Sequence, residues 1–266
     1  MSNLPPNRHP FEVEAFVLKH YDYNEHDRIV VLYSRKFGVL RSIAKGVRRP
    51  RSKLAGRLDL LRCNHLVLER GRNLHKITQC DALRSFSGLN RDYHALTHAL
   101  AMGELIASFS QEEDPNEYLF ALFLHGLEAL SAGTEALPLL LWFELHYLEQ
   151  LGYQQDWDFC AQCEIDFRPR DYHFFDTLHG GLRCEACKRK ETCRYLSFEQ
   201  VEVLRGLQAS EGPPQSLPEL KPQAMRQLQA CLQSYFEQLA EKPLKALTYL
   251  QDDNLGWAMP NETRKP

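Results

Sequence analysis

Eight cysteines occur in the chain, and four of them form two C-x-x-C pairs, Cys160 with Cys163 and Cys184 with Cys187. Two thiolates on one tight turn can point at a single tetrahedral ion, and two such turns complete its coordination sphere. Because four protein ligands leave no open coordination position, this spacing predicts a structural Zn²⁺ site and not a catalytic one.

Two alternatives to this ligand set stay open. The four thiols could be reduced core cysteines without a metal, or Cys193, His173 or His179 could replace one of them. The remaining three cysteines lie in apolar segments, where a free cysteine behaves as a small buried hydrophobe. They are Cys63, Cys80 and Cys231.

The second feature with evident chemistry is a run of cations that no acidic residue interrupts before Asp59. Its seven members are Arg41, Lys45, Arg48, Arg49, Arg51, Lys53 and Arg57. Lys and Arg that neutralise phosphates release counterions, and this release supplies most non-specific affinity for nucleic acid. The run predicts a DNA-binding surface that recognises the backbone and weakens steeply with salt. A mobile, solvated loop is the alternative.

The charge of the whole chain is also unevenly distributed, with the positive charge concentrated in the part that contains this run. Residues 1–85 carry 17 Lys and Arg against 8 Asp and Glu, a net +9, whereas residues 86–266 carry 15 against 27, a net −12. Such a split indicates a basic part that meets a polyanion. Aromatic side chains could add base stacking. The candidates are Phe16, Tyr21, Tyr23, Tyr33 and Phe37, although each could equally pack in a core or a turn.

Several classes of function are disfavoured. The chain contains no G-x-x-x-x-G-K-[ST], G-x-G-x-x-G, G-x-S-x-G or H-E-x-x-H motif, so catalysis is not expected. No window approaches the ~20 apolar residues of a membrane-spanning helix. The start of the chain lacks the apolar segment of a signal peptide. We therefore predict a cytoplasmic protein that is not an enzyme and has no membrane partner.

The elements that must position these residues divide into two kinds. Short runs rich in Val, Ile and Leu predict five strands between residues 11 and 83, with the cations in a loop because Pro50 interrupts the run. The strands are predicted over 12–21, 28–34, 37–46, 58–71 and 74–83. Five short strands with a basic face are typical of an OB-fold barrel, although pattern alone does not separate it from an SH3-like barrel.

After residue 87 the periodicity becomes helical. Helices are predicted over 91–111, 116–133, 135–153, 197–210 and 223–250, the fourth with a Ser197/Gln200 capping box and the last bent near Pro243. The fold class is therefore α+β multidomain. We expect an OB-fold DNA-binding domain in 1–85 and an all-helical domain in 86–250. A zinc-knuckle insert at 157–194 and a flexible tail at 251–266 complete the chain.

Three stretches resemble the bacterial recombination mediator and DNA repair protein family RecO. They are NEHDRIVVLYSRKFGVLRSIAKGVRRPRSKLAGRLDLL, FELHYLEQLGYQQDWDFCAQC and GGLRCEAC. The resemblance runs in order from about residue 11 to about residue 250. Its pieces are Glu25 and Asp27, Gly38, the Ala44–Lys45–Gly46 turn with Arg48 and Arg49, the Leu151–Gly152 pair and the two cysteine pairs.

The resemblance implies an N-terminal OB-fold, a helical C-terminal domain and, in many members, a zinc knuckle. It implies binding to single- and double-stranded DNA, annealing of complementary strands, and loading of the RecA recombinase without nucleotide hydrolysis. The implied partners are RecR, RecF and the acidic C-terminal tail of single-strand DNA-binding protein, and the implied location is the bacterial nucleoid. Such a tail requires a local basic pocket, for which Arg91, Arg205 and Arg226 are the few candidates.

Two rival classes of protein remain. One is a zinc-stapled scaffold that binds only protein, with its basic barrel facing an acidic partner. The other is a nucleic-acid-processing enzyme that uses zinc chemically, which a four-thiolate ligand set disfavours.

Overall fold

The structure is a computed structural model, and it describes residues 9–167, 173–215 and 220–252. Its N-terminal part is a closed five-stranded barrel with strand order β1-β2-β3-β5-β4. The strands are β1 (Pro10–Tyr23), β2 (Asp27–Ser34), β3 (Gly38–Ala44), β4 (Cys63–Glu69) and β5 (His75–Arg84).

The order of the strands identifies the barrel. β3 pairs in parallel with β5, Ser42 opposite His75, and β4 lies between β5 and β1. A simple meander would pair β3 with β4, so this is the Greek-key order of an OB-fold, as predicted. The connection from β3 to β4, residues 45–62, carries most of the cations across one end of the barrel. We call residues 45–62 the basic loop.

The basic loop begins with a turn and extends further than the sequence predicted. Val47 and Leu58 are buried in the barrel core. Leu61 is buried in the neighbouring helical core and has a φ of +64°, which is incompatible with a strand. The strand predicted from residue 58 therefore begins only at Cys63.

Part of the outer face of the barrel is covered by helices. Phe16 and Tyr33 are 0% exposed, and the Phe16 ring lies 4.8 Å from both Phe120 and Phe123. The interpretation of Phe16 and Tyr33 as base-stacking residues is therefore wrong. Their outward-pointing rings bury apolar surface between the barrel and the helices.

Six α-helices lie in the described part of the chain after the barrel. They are α1 (Tyr93–Phe109), α2 (Glu117–Ala132), α3 (Ala136–Gln150), α4 (Phe198–Ala209), α5 (Pro222–Ala240) and α6 (Lys245–Asp252). An unpredicted 3₁₀ helix, Ser87–Arg91, precedes them. The most deeply buried helix, α3, is central and packs against α1, α2, α4 and α5.

Several helix boundaries agree with the sequence signals. The capping box of Ser197 and Gln200 is present at the start of α4. The predicted 223–250 helix is a pair, because Glu241 adopts a φ of +52° just before Pro243. No helix among the described residues is long and apolar enough to cross a membrane. The predicted flexible tail lies, from residue 253 onward, outside the described residues.

Candidate metal centre and nucleic-acid interface

The structure brings the four cysteines of the two C-x-x-C pairs together. The sulfur atoms of Cys160, Cys163, Cys184 and Cys187 all lie within 4.8 Å of one another, and the Cys163 and Cys184 sulfurs are 3.8 Å apart. A tetrahedral ion with metal–sulfur bonds of ~2.3 Å places its sulfurs about 3.8 Å apart. The donor set and its spacing therefore fit one zinc-sized ion.

Two tight turns hold the thiols in this position. In the first, the Glu164 amide donates to the Cys160 carbonyl at 2.8 Å; in the second, the Lys188 amide donates to the Cys184 carbonyl at 3.0 Å. The Cys184 amide also donates to the Cys160 sulfur at 3.4 Å. Amide hydrogen bonds to sulfur favour the thiolate, which is the form that binds a metal.

The electrostatics of the cluster favour a bound cation. Burial opposes ionisation of Cys160, but backbone donors, first among them the Cys184 amide, lower its pKa to about 6. The neighbouring thiols Cys163 and Cys184 raise the pKa of Cys187 to about 12. Mutual repulsion of this kind keeps some of the thiols protonated in the absence of a cation, and a divalent ion reverses it.

A small sheet supports the four-cysteine cluster. Strands β6 (His173–Asp176), β7 (Leu182–Arg183) and β8 (Cys193–Leu196) form a sheet with the order β7-β6-β8. The sequence predicted irregular structure here apart from the hairpin between the cysteine pairs, which is present as β6 and β7. The Arg183 side chain links Asp176 (Nε to Oδ2, 3.2 Å) to Gln162 (Nη1 to Oε1, 3.2 Å). This bridge connects the sheet to the first cysteine turn.

The alternative ligands take no part in the cluster. Within the described residues, the group of convergent donors contains only the four C-x-x-C cysteines. The Cys193 sulfur accepts the Arg189 amide at 3.3 Å, and His179 Nδ1 lies 3.1 Å from Asp176 Oδ2. The other three cysteines are buried as predicted, and burial raises the pKa of their thiols: Cys63 to about 12, Cys80 to about 11 and Cys231 to about 11.

The basic loop is folded against the barrel. The Gly46 amide donates to Asp27 Oδ1 at 2.7 Å, and the Arg48 amide donates to the His26 carbonyl at 3.0 Å. At the far end, the Leu61 amide donates to the Val17 carbonyl at 2.8 Å. With Val47 and Leu58 buried, these bonds fix the path of the loop, which argues against a mobile, solvated segment.

The seven predicted DNA contacts are all exposed, but they fall into two groups. Three have carboxylate partners: Arg41 with Glu112 (2.5 Å), Arg48 with Asp22 (3.4 Å) and Arg57 with Asp81 (3.1 Å). The other four form no ion pair with any described residue; they are Lys45, Arg49, Arg51 and Lys53. These four are the cations most available to a phosphate.

Two of the aromatic residues predicted to stack on bases lie beside the basic loop. Tyr21 and Tyr23 are 55% and 45% exposed near the tip of the β1–β2 hairpin, to which Arg48 is hydrogen-bonded. Tyr21 lies opposite Ile29, and Ile29 opposite Ile43, in one row across three strands. Ile29 and Ile43 were not predicted to lie beside Tyr21, although the alternation of the strands signals this row. Phe37 packs instead against the barrel core.

Comparisons with known proteins agree with this architecture. The family description "Recombination protein O N terminal" matches residues 9–86, and "Recombination protein O C terminal" matches residues 90–248. Three relatives carry the description "DNA repair protein RecO". The chain is 31% identical to that of Desulforamulus reducens, over 92% of this chain and 97% of the relative. It is 32% identical to that of a Nocardioides species, over 90% of this chain and 98% of the relative.

The third relative, from Dehalococcoides mccartyi, is 29% identical over 91% of this chain and 95% of its own. The two matched segments coincide with the barrel and the helical part, and together they span nearly all the described residues. The chain belongs to the RecO family of DNA repair proteins.

Proposed function

We propose that this chain is a DNA-binding recombination mediator that works without catalysis on the bacterial nucleoid, in the cytoplasm. It binds single- and double-stranded DNA, anneals complementary strands, and helps to load the RecA recombinase onto DNA coated by single-strand DNA-binding protein. Its membership of the RecO family supports the role in DNA repair and recombination. The finer steps rest on the charges of the barrel.

The observation that carries the proposal is the folded basic loop. Lys45, Arg49, Arg51 and Lys53 are exposed on a loop whose path is fixed, and no described carboxylate pairs with them. An ordered cationic surface binds phosphates with less loss of entropy than a mobile one. Counterion release then supplies affinity without sequence preference.

Annealing follows from the same charges. Two DNA strands repel each other through their phosphates, and cations that contact both strands lower this repulsion. The exposed rings of Tyr21 and Tyr23 stand beside the loop, where bases of a bound single strand can stack. The loop therefore holds backbones while the hairpin tip keeps bases separated and open to pairing.

The helical part has the opposite charge, and in this proposal it binds proteins. A net charge of −12 over residues 86–266 repels DNA and so confines the nucleic acid to the barrel. RecR, RecF and the tail of single-strand DNA-binding protein are the proposed partners. Arg205 is a poor candidate for the tail, because it already pairs with Glu202 and Asp158.

Zn²⁺ is the proposed occupant of the four-cysteine cluster, with a structural role. Four thiolates would surround the ion and leave no position for a substrate. The insert packs into the helical core through Phe175 and Leu182, so the ion would stabilise the protein-binding part and not the DNA-binding loop.

The test is fluorescence anisotropy of a labelled single strand with the full chain at several salt concentrations. We expect binding that weakens steeply with salt. The double variant Arg49→Glu/Arg51→Glu should bind at least about tenfold more weakly, with a flatter salt slope. The matched control reverses two exposed cations of the helical part, Lys190→Glu/Lys221→Glu, and should bind like the wild type. Unchanged binding and salt slope in Arg49→Glu/Arg51→Glu would show that the basic loop is not the DNA site. No binding by the wild type at low salt would favour the protein-only scaffold.

A further inference from the structure

The basic loop borders a cavity of about 320 Å³ that is open to solvent on one side. Its lining residues include Arg28, Arg48, Arg49, Leu54, Leu58 and Asp59. This volume is at the lower end of the ~300–1,000 Å³ that is usual for sites of small organic ligands. The cavity combines flat cations, apolar carbon and one carboxylate.

The cationic wall of the cavity is held in place from behind. Arg28 Nε and Arg48 Nη2 both bind the Asp22 carboxylate, at 3.1 Å and 3.4 Å. Arg48 Nη1 also donates to the Asn24 carbonyl at 3.3 Å. Two guanidinium groups fixed by one carboxylate present their planes in a set orientation, so a ligand would not have to order them.

The cavity lining also has an apolar part. Leu54, which packs partly buried against the barrel core, offers apolar surface to a ligand, whereas Leu58 is only 2% exposed. Asp59 adds a carboxylate to the lining, 3.4 Å from Arg62 Nε. Beside the arginines, a phosphate would meet apolar carbon and a like charge here. A nucleobase instead has apolar faces and an edge with both donors and acceptors, which this lining complements.

We infer that the cavity accepts one splayed-out base of a bound single strand. The base lies on Leu54 beside the guanidinium planes of Arg28 and Arg48, and its edge faces Asp59. This inference rests on the proposed DNA binding and adds to it a site for a base, whereas the other cations bind phosphates. A strand held in this way has one base out of its stack at a defined place on the loop.

The decisive experiment compares oligo-dT with an abasic strand of equal length, because both carry the same phosphate charge. The wild type should bind oligo-dT about tenfold more tightly, since a stacked base adds affinity that an abasic sugar cannot. Exposed Ala55 is one of the lining residues, and Ala55→Phe is designed to fill the cavity. This variant should keep its affinity for the abasic strand within about twofold and lose about fivefold or more for oligo-dT.

The matched control is Ala132→Phe, which places the same side chain at an exposed position at the end of α2. It should keep the full preference for oligo-dT. Equal wild-type affinity for the two strands, or a full preference in Ala55→Phe, would overturn the base site while leaving backbone binding intact. Failure of the wild type to bind either strand would instead overturn the proposed function.

A second measurement needs no variant and separates a base from a phosphate. Methyl NMR of the wild-type chain with thymidine should shift the signals of Leu54 and Leu58, and inorganic phosphate should not. Shifts of these signals with phosphate alone would show that the cavity is an anion site, contrary to the inference.

Discussion

Gln229 on α5 donates a hydrogen bond from Nε2 to Oε1 of Glu144 on α3, at 3.2 Å, in the interior of the helical part. Glu144 Oε2 and Gln229 Oε1 are both buried, and neither has a partner among the described residues. Burial raises the pKa of Glu144 to about 8. A proton on Oε2 turns this atom into a donor, and the unpartnered amide oxygen is an acceptor, so protonation can satisfy both atoms.

Stability should therefore depend on the protonation of Glu144. The folded-state pKa of about 8 exceeds the ~4.3 of an exposed glutamate, so the native chain binds this proton more tightly than the unfolded chain. The resulting stabilisation is complete below about pH 4 and is lost as the pH rises through about 8. Glu144→Gln keeps the donor without titrating. As the pH rises from about 4 to about 8, the wild type should lose ~1–3 kcal/mol of unfolding free energy that this variant keeps.

Urea unfolding across this pH range checks the prediction. The exposed Glu191→Gln is the control and should follow the wild-type pH profile. Profiles of Glu144→Gln and the wild type that run parallel would show that Glu144 does not titrate differently in the two states.

The four-cysteine cluster predicts that metal content and stability change together. Cys163→Ser removes one ligand, so we expect a large loss of bound zinc from about one ion per chain and a melting temperature lower by about 5 °C or more. Cys193→Ser removes a nearby thiol that lies outside the cluster and should change neither quantity. Elemental analysis and thermal unfolding of the same samples measure both. Full zinc content in Cys163→Ser would require another ligand set.

Gly180, in the turn between β6 and β7, lies close to α5. A Cβ at this position would lie 2.6 Å from Tyr235 Cζ, and Gly180 has a φ of +75°. Gly180→Ala should therefore destabilise the protein by ~1–3 kcal/mol. Gly206→Ala is the control, because that glycine lies in α4 with nothing within 4 Å of a new Cβ, and it should stabilise by ~0.5–1 kcal/mol. Chemical denaturation measures both, and equal effects would contradict the close approach.

The local elements were predictable because their signals are local. Alternation and apolar runs predicted the five strands, and the Ser197/Gln200 pair predicted the start of α4. The positions of side chains on shared surfaces were less predictable. In the alternating pattern of their strands, Phe16 and Tyr33 occupy positions on the outer face of the barrel. Phe120 and Phe123 on α2, about 100 residues later, cover Phe16. The sequence of a strand does not show which helix will bury its outer face.

The predicted metal ligands and the predicted DNA contacts differ in how far the sequence alone identifies them. Two C-x-x-C pairs define a ligand set because each pair forms its own turn. A run of cations shows its charge but not its partners. Arg41 pairs with Glu112 in the α1–α2 connection, and Arg57 pairs with Asp81 on β5, so both carboxylates are distant in the sequence. Only the fold therefore separates paired cations from those available to phosphate.

The difference between paired and unpaired cations predicts how strongly each cation of the basic loop contributes to DNA binding. Arg49→Ala and Arg51→Ala remove cations that have no described ion-pair partner, so each should weaken binding to single-stranded DNA and lower the salt slope by about 0.7. Arg57→Ala should have a smaller effect on the slope. Its guanidinium already binds Asp81 and the Cys80 carbonyl, the latter at 2.6 Å, so it should chiefly reduce stability.

Anisotropy titrations at several salt concentrations measure the slopes, and thermal unfolding of the same variants measures stability. Arg72→Ala, at an exposed position in the β4–β5 turn, provides the matched loss of one charge outside the basic loop. It should leave the slope nearly unchanged, because uniform attraction by net charge is weak compared with direct phosphate contact at ~0.15 M salt. A slope that falls equally in all four variants would mean that binding follows total charge and not the unpaired cations of the loop.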